Sequence, residues 1–337
     1  MLVHFRLNVP DDLSEPVRKL LLDHECVTNV TVHQGASLEP EGDLVEADVA
    51  REKAGVLLHH LNRLDLDERG GIVISTPTGT PFAEASRLEA LAPGHPDDAV
   101  IWEAVEAEAE DGAQPTVSYV VFLVLAVILA AIAVITDSAI LVVGAMVVGP
   151  EFSAIAAASV GIVFARWGLV GRSLQLLVFS FAFAILVVAV LAWLVSLTGA
   201  LDEEMITRPR PNTGFIWHPD MWSFVVALVA GAAGVLAMAI QKSATMVGVF
   251  ISVTTVPAAG NLALGLALGE RTEILGSLEQ LGANIAGMVL AGVLVLAFMR
   301  GCWTWVTVQA ERLFGQRQPH AGLKPRRQKA EGQEAGG

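Results

Sequence analysis

The chain has 337 residues, 53% of them hydrophobic and 17% charged, and its mean hydropathy is +0.57. These values exclude an ordinary soluble globule and place it among polytopic membrane proteins. The net charge of −14 is unevenly spread: residues 1–114 carry 23 Asp/Glu against 8 Lys/Arg, and the remainder carries 12 against 13.

An acidic soluble region therefore precedes a nearly neutral apolar block with a basic tail. The acidic surface argues against nucleic acid as a partner and reads as solubilising. Cys26 and Cys302 lie in different regions without metal-ligand spacing, so neither a disulfide, a metal nor another cofactor is expected. Residues 1–10 lack the apolar run of a secretory signal, which leaves the first membrane span as the insertion signal.

In chain order, residues 2–9 alternate and end at Pro10, as a strand does. Asp11, Asp12 or Ser14 can cap the helix that follows, with Leu20 and Leu21 on one face. Residues 27–33 are β-rich and residues 44–49 alternate, with a Gly-containing turn between them. Residues 51–64 are helical and residues 71–75 form a last strand. The order β-α-β-β-α-β is that of an α+β ferredoxin-like domain, placed at residues 1–76 on the cytosolic side. His4, His33, His59 and His60 read as surface or edge histidines, because adjacent histidines on a helix point to different faces. Residues 77–114 form a linker and an amphipathic acidic helix, with linker-like segments at 76–81 and 92–96 and the helix at 97–110, capped by Asp97.

The membrane block covers residues 115–300 and holds six apolar stretches, at 117–135, 139–164, 174–198, 222–240, 245–268 and 277–299. Placing both termini in the cytoplasm puts Arg166, Arg172, Lys242, Arg300 and the basic tail inside, leaving only Arg208, Arg210 and Arg271 outside. The expected location is the cell inner (plasma) membrane, with residues 301–337 a basic, disordered cytosolic tail.

The two halves, 117–198 and 222–299, resemble each other at a displacement of about 104 to 105 residues. Asp137-Ser138-Ala139 matches Lys242-Ser243-Ala244, and Gly171 to Leu174 matches Gly276 to Leu278. Three spans per half insert the second copy upside down, the inverted-repeat plan of many secondary transporters. The second span is interrupted by Gly144, Gly149 and Pro150, and the fifth by Thr254, Thr255, Pro257 and Asn261. Proline removes a backbone donor, and in hydrocarbon the freed carbonyls must be met by protein, water or ligand.

Glu151 lies deep in the second span, where a carboxylate defaults to a functional assignment. It fits a proton or cation site, or an inter-subunit hydrogen bond. Thr254, Thr255 and Asn261 are its expected partners, with Gln280 and Asn284 of the sixth span as further ones. Substrate or ion contacts are accordingly assigned to Gly144, Gly149, Pro150, Glu151, Thr254, Thr255, Pro257, Asn261 and Asn284. Asp137 and Lys242 read as helix-end anchors or gates. Arg208 and Arg210 alternate with prolines in an outer loop whose own Asp202, Glu203 and Glu204 are expected to neutralise them.

Residues 144–150 (GlyAlaMetValValGlyPro), 207–212 (ThrArgProArgProAsn), 226–234 and 256–269 together resemble the bacterial and archaeal membrane family catalogued as domain of unknown function 389. The resemblance covers about residues 117–300. This sequence departs from the family pattern at Glu151-Phe152-Ser153-Ala154, where apolar residues and a second Gly-Pro are usual. It departs again at Val256-Pro257-Ala258, where the proline tends to be doubled.

The sequence carries no nucleotide-binding loop, zinc signature, nucleophile elbow or paired-carboxylate constellation, so no enzyme is expected. The leading expectation is a transporter or channel for a small solute or ion, with its cavity between the broken helices and a regulatory cytosolic domain. The alternative is a non-transporting receptor or scaffold that binds a lipid or metabolite. Membrane lipids and a small-molecule or ion ligand are the expected partners, and small-residue helix surfaces point to a homo-oligomer.

Overall fold

The computed structural model describes residues 2–91, 99–217, 220–241 and 254–314. The chain divides into two units: Met1–Ile101 with Trp303–Gly337, and Trp102–Cys302.

In the first unit, strands β1 (Leu2–Pro10), β2 (Val27–Leu38), β3 (Glu41–Ala50) and β4 (Gly71–Ser75) form one antiparallel sheet in the order β2-β3-β1-β4. Alternation explains the buried face. Phe5, Leu7 and Val9 of β1 and Val45, Ala47 and Val49 of β3 are all buried. Helix α1 (Asp11–Asp23) contributes Val17 and Leu21. Helix α2 (Arg51–Asn62) contributes Ala54, Leu57, Leu58 and Leu61, spaced as one helical stripe. The short α3 (Leu66–Arg69) leads into β4.

One detail departs from the sequence reading: β2 continues past His33 through the expected turn to Leu38, which pairs with Glu41. Gly35 adopts φ +61° inside the register shift between His33 and Ser37, and its N–H is donated to Asp43 Oδ1 at 2.9 Å. The glycine absorbs the left-handed residue as a bulge, and the ladder resumes beyond it. Helix α4 (Ala83–Leu91) belongs to the same packing, with Ala85 and Leu88 buried against Leu2, Cys26 and Ala50.

The second unit is helical. It comprises α5 (Trp102–Gly112), α6 (Val117–Ile135), α7 (Ala139–Val148), α8 (Glu151–Val163), α9 (Trp167–Ser196), α10 (Glu204–Thr207), a 3-10 turn (Gly214–Ile216), α11 (Met221–Ala239), α12 (Thr255–Leu268) and, as far as Cys302, the long α13 (Arg271–Phe314). Among the described residues, α6, α9, α11 and the Arg271–Cys302 part of α13 are long and apolar enough to cross a membrane. A fifth span counts if α7 and α8, bent by 55° at Gly149-Pro150, are taken together. The expected span at 245–268 is covered by α12 from Thr255 onward; residues 242–253, with Lys242, lie outside the described residues, as does the tail after Phe314.

Burial separates two kinds of helix. The four long ones bury between 33% and 44% of their apolar windows and turn Leu, Val and Phe outward, as lipid-facing spans do. Helices α8 and α12 are buried nearly all round, through Ala154, Ala156, Ala157, Ala258, Ala259 and Ala263. A helix of 13 or 14 residues extends ~20 Å, too short to cross ~30 Å of hydrocarbon alone. Their small side chains let the surrounding helices approach: a Cβ on Gly260 would stand 2.8 Å from the Ala131 nitrogen of α6.

Local features recur along this unit at an interval of 104 residues, the separation of Glu151 and Thr255. Helices start at Val117 and Met221, at Glu151 and Thr255, and at Trp167 and Arg271. The caps Thr116 and Asp220 each accept the backbone N–H three residues on. Asp137 and Gln241 share a left-handed backbone (φ 47° and 57°), as do Ala165 and Gly269 (φ 55° and 81°). Arg166 N–H bonds Gly161 O at 2.8 Å, and Glu270 N–H bonds Gly265 O at 3.0 Å. A Cβ on Gly161 would meet Val170, and one on Gly265 would meet Ile274.

Candidate functional site

The break between α7 and α8 is dictated by two residues. Pro150 has no N–H, so the Met146 carbonyl loses its helical donor, and Gly149 turns to an extended backbone after closing α7 onto Ala145 O at 3.3 Å. Glu151 then opens α8, where a carboxylate complements the positive end of the helix dipole. Gly149 also makes room for that carboxylate: a Cβ there would stand 2.3 Å from Glu151 Oε2 and 2.7 Å from Val256.

Glu151 is 6% exposed and Thr255 is fully buried. The Thr255 hydroxyl is donated to Glu151 Oε1 at 2.7 Å, while Oε2 is buried without a hydrogen-bond partner among the described residues. Of the expected partners, the structure thus brings Thr255 to Glu151 and sends the others elsewhere. Thr254 Oγ1 accepts Asn284 Nδ2 at 2.7 Å and Gln280 Nε2 at 3.1 Å. Pro257 is buried in the first turn of α12, and Gly144 lies on an exposed face of α7 with open space where a Cβ would stand.

Asn261 belongs to a second buried cluster. Its Oδ1 accepts Arg210 Nη1 at 2.9 Å, and its Nδ2 donates to Glu273 Oε2 at 2.7 Å and Ser277 Oγ at 2.8 Å. Arg210 Nη2 completes the set on Glu273 Oε1 at 2.8 Å. The counter-charge of Arg210 is therefore Glu273, not the loop's own acids. Arg208 remains exposed and donates to the Ile135 carbonyl at 2.7 Å. Asp137 ties the same loop to the α6–α7 corner, accepting Thr213 Oγ1 at 2.8 Å and the Asn212 backbone N–H at 3.2 Å.

Sequence reading missed Glu273 and Ser277. The signal was their spacing: Glu273, Ser277, Gln280 and Asn284 fall on one face of α13, and all four are buried. They make a polar stripe ~16 Å long inside an apolar bundle. At the other end of the bundle, Arg166 lies between Glu106 (3.0 Å) and Glu110, and Arg300 covers the Phe164 ring at 4.7 Å.

Two cavities flank the break. One, of about 380 Å³, is lined by Val142 and Met146 of α7, Asp220, Trp222, Thr254 and Asn284. The other, of about 250 Å³, is lined by Glu108, Gly149, Pro150, Phe152, Ser153 and Met238. The capping hydrogen bond from Ser223 N–H, at 2.6 Å, holds the Asp220 carboxyl below its ordinary range. In the first unit, His4 Nδ1 meets Asp48 Oδ1 at 2.9 Å, and His24 Nδ1 accepts the Cys26 N–H at 3.3 Å.

Residues 146–290 match the family model described as Domain of unknown function (DUF389). Over these residues the chain is similar to that family. The matched DUF389 segment runs from Met146, in the last turn of α7, into α13. It contains Glu151, Thr255, Asn261, Arg210 and the whole polar stripe, while Asp137 lies before it. No curated protein and no solved structure matches the chain.

Proposed function

We propose that this protein is a membrane transporter for a small solute or ion, formed by two inverted copies of a three-span unit that meet at the Glu151–Thr255 hydrogen bond. One observation carries the reading. Glu151 and Thr255 are 104 residues apart, each is the first residue of a helix, and each touches the other. Equivalent residues of two copies contact one another where a two-fold axis passes between them. The recurring caps, left-handed corners and glycine contacts support the same duplication. Three spans in each half make the copies inverted, and substrate sites of such transporters lie at the repeat interface near the midplane.

The cavities on either side of the break supply room for a solute, and the buried stripe from Glu273 to Asn284 supplies polar contacts inside the bundle. The placement of basic residues supports cytoplasmic termini, with the sheet domain as a regulatory element. Reconstitution into liposomes loaded with a panel of ions, amino acids, polyols and organic acids tests the proposal. Release of at least one class, lost in E151Q, is expected; retention of every class, with residues 1–91 present or deleted, would overturn it.

A second reading has its own observation. A groove of about 380 Å³ between α6 and α9 has Arg172 and Gln175 beside Leu176, Phe179 and Phe183, the lining a phospholipid would take. A tightly held lipid without flux would favour a non-transporting lipid-binding scaffold.

A further inference from the structure

We propose that Glu151 is a proton-binding site, the proton residing on Oε2, and that this proton is the ion coupled to solute movement; the coupling, though not the site, rests on the transporter reading. The argument begins with satisfiability. An ionised carboxylate is an acceptor with several lone-pair sites, and buried away from water it needs donors or a counter-charge. Glu151 Oε1 receives the Thr255 hydroxyl and the residue's own backbone N–H faces the carboxylate, while Oε2, sealed from solvent against the Gly149 backbone, has no hydrogen-bond partner among the described residues.

No cation neutralises it among the described residues. Arg210 is committed to Glu273, and Arg166 to Glu106 and Glu110. Helices α7, α11 and α12 contain no titratable side chain, and Glu151 is the only one on α8. From α6, Tyr119 is in electrostatic range, with Ser180 of α9 beside its hydroxyl. On α5, Glu108 lines the cavity beneath the break and adds like charge, not compensation. On α13, Glu273 is buried and already paired with Arg210.

A proton answers each of these demands. It removes the charge, and it converts Oε2 from an unmet acceptor into a donor. At the break itself, Pro150 leaves the Met146 carbonyl without its helical N–H donor. A metal cation would need a fuller oxygen shell than two carboxylate oxygens and one hydroxyl. Position fits the role. Thr254, beside the Thr255 that bonds Glu151, lines one cavity, and Pro150 and Phe152, the chain neighbours of Glu151, line the other. In the transfer step an opening at the break admits water to Oε2; hydronium from one cavity gives up an O–H bond as the Oε2–H bond forms, and the reverse exchange returns the proton to water of the other.

Infrared difference spectroscopy on the purified full-length protein in lipid nanodiscs, titrated with acid and base, tests this without solute or gradient. The wild type is expected to show the carbonyl stretch of a protonated carboxylic acid at neutral pH, sensitive to H/D exchange. E151Q should lose that band. T255V, which keeps the carboxyl but removes its donor, should shift it, and this serves as the reading if E151Q does not fold. Absence of the band in the wild type, its survival in E151Q, or its removal by sodium or potassium at fixed pH would overturn the proposal, the last in favour of a metal cation. Solute flux without the band would leave the transporter reading standing; the band without flux would leave the proton site and remove the transporter.

Discussion

Glu151 and Thr255 are joined by a hydrogen bond of 2.7 Å across 104 residues of sequence. T255V leaves Glu151 Oε1 buried without its donor, and an unmet buried acceptor costs about 1–3 kcal/mol. T255S keeps the hydroxyl and is expected to stay within about 1 kcal/mol of wild type, the loss being one methyl. Thermal unfolding in a mild detergent, comparing the two variants, reads the difference; equal destabilisation would assign the role of Thr255 to its methyl group.

The Arg210–Glu273 pair is of a different kind, because both side chains are almost fully buried and share Asn261. Removing one partner strands a buried charge, at a cost on the order of 3–5 kcal/mol. R210A and E273A should each fold poorly. R210K should recover only part of the loss, since a lysine cannot serve Asn261 and Glu273 with a planar fork. A fully stable R210A would mean that the pair does not hold the loop to α12 and α13.

The two left-handed corners make a paired prediction. Ala165 adopts φ 55° where its counterpart Gly269 adopts 81°, and a Cβ in that region costs about 1–2 kcal/mol. A165G should therefore raise the unfolding midpoint and G269A should lower it. Scored together on one background, effects of the same sign would break the equivalence of the corners.

In the sheet unit, His24 carries a pH dependence. Burial first, then His60 and Lys53, lowers its pKa from 6.5, and its Nδ1 accepts the Cys26 N–H, a role open only to the neutral ring. A histidine depressed in the folded state contributes stability that is complete above 6.5 and is lost as pH falls through the folded value. Hydrogen-exchange protection around residues 24–27, corrected for intrinsic rates, should fall on acidification of the full-length protein. H24Q should flatten that fall; an unchanged profile would show that another group governs the segment.

Much of this arrangement could be read from the sequence because its causes are local. Gly149-Pro150 must interrupt a helix wherever it is placed, and Thr116 and Asp220 cap whatever apolar run follows them. The displacement of about 104 was visible because corners and caps use a short list of residues. The partners of Arg210 were not legible: Glu273 lies 63 residues away, and the nearer acids of the same loop offered an equally plausible charge. The extension of β2 was hidden for a similar reason, since Gly35 serves a turn and a bulge equally well until the partner strand is known.

The central claim is that Glu151 separates two cavities reached from opposite sides of the membrane. Single cysteines at Met146 and Ser153, introduced with Cys26 and Cys302 replaced by serine, place a thiol in each cavity. Labelling of oriented vesicles by a membrane-impermeant thiol reagent is the direct measurement. M146C should react from one side only and S153C from the other. Reaction of both from the same side, or protection of both from either side, would contradict the account.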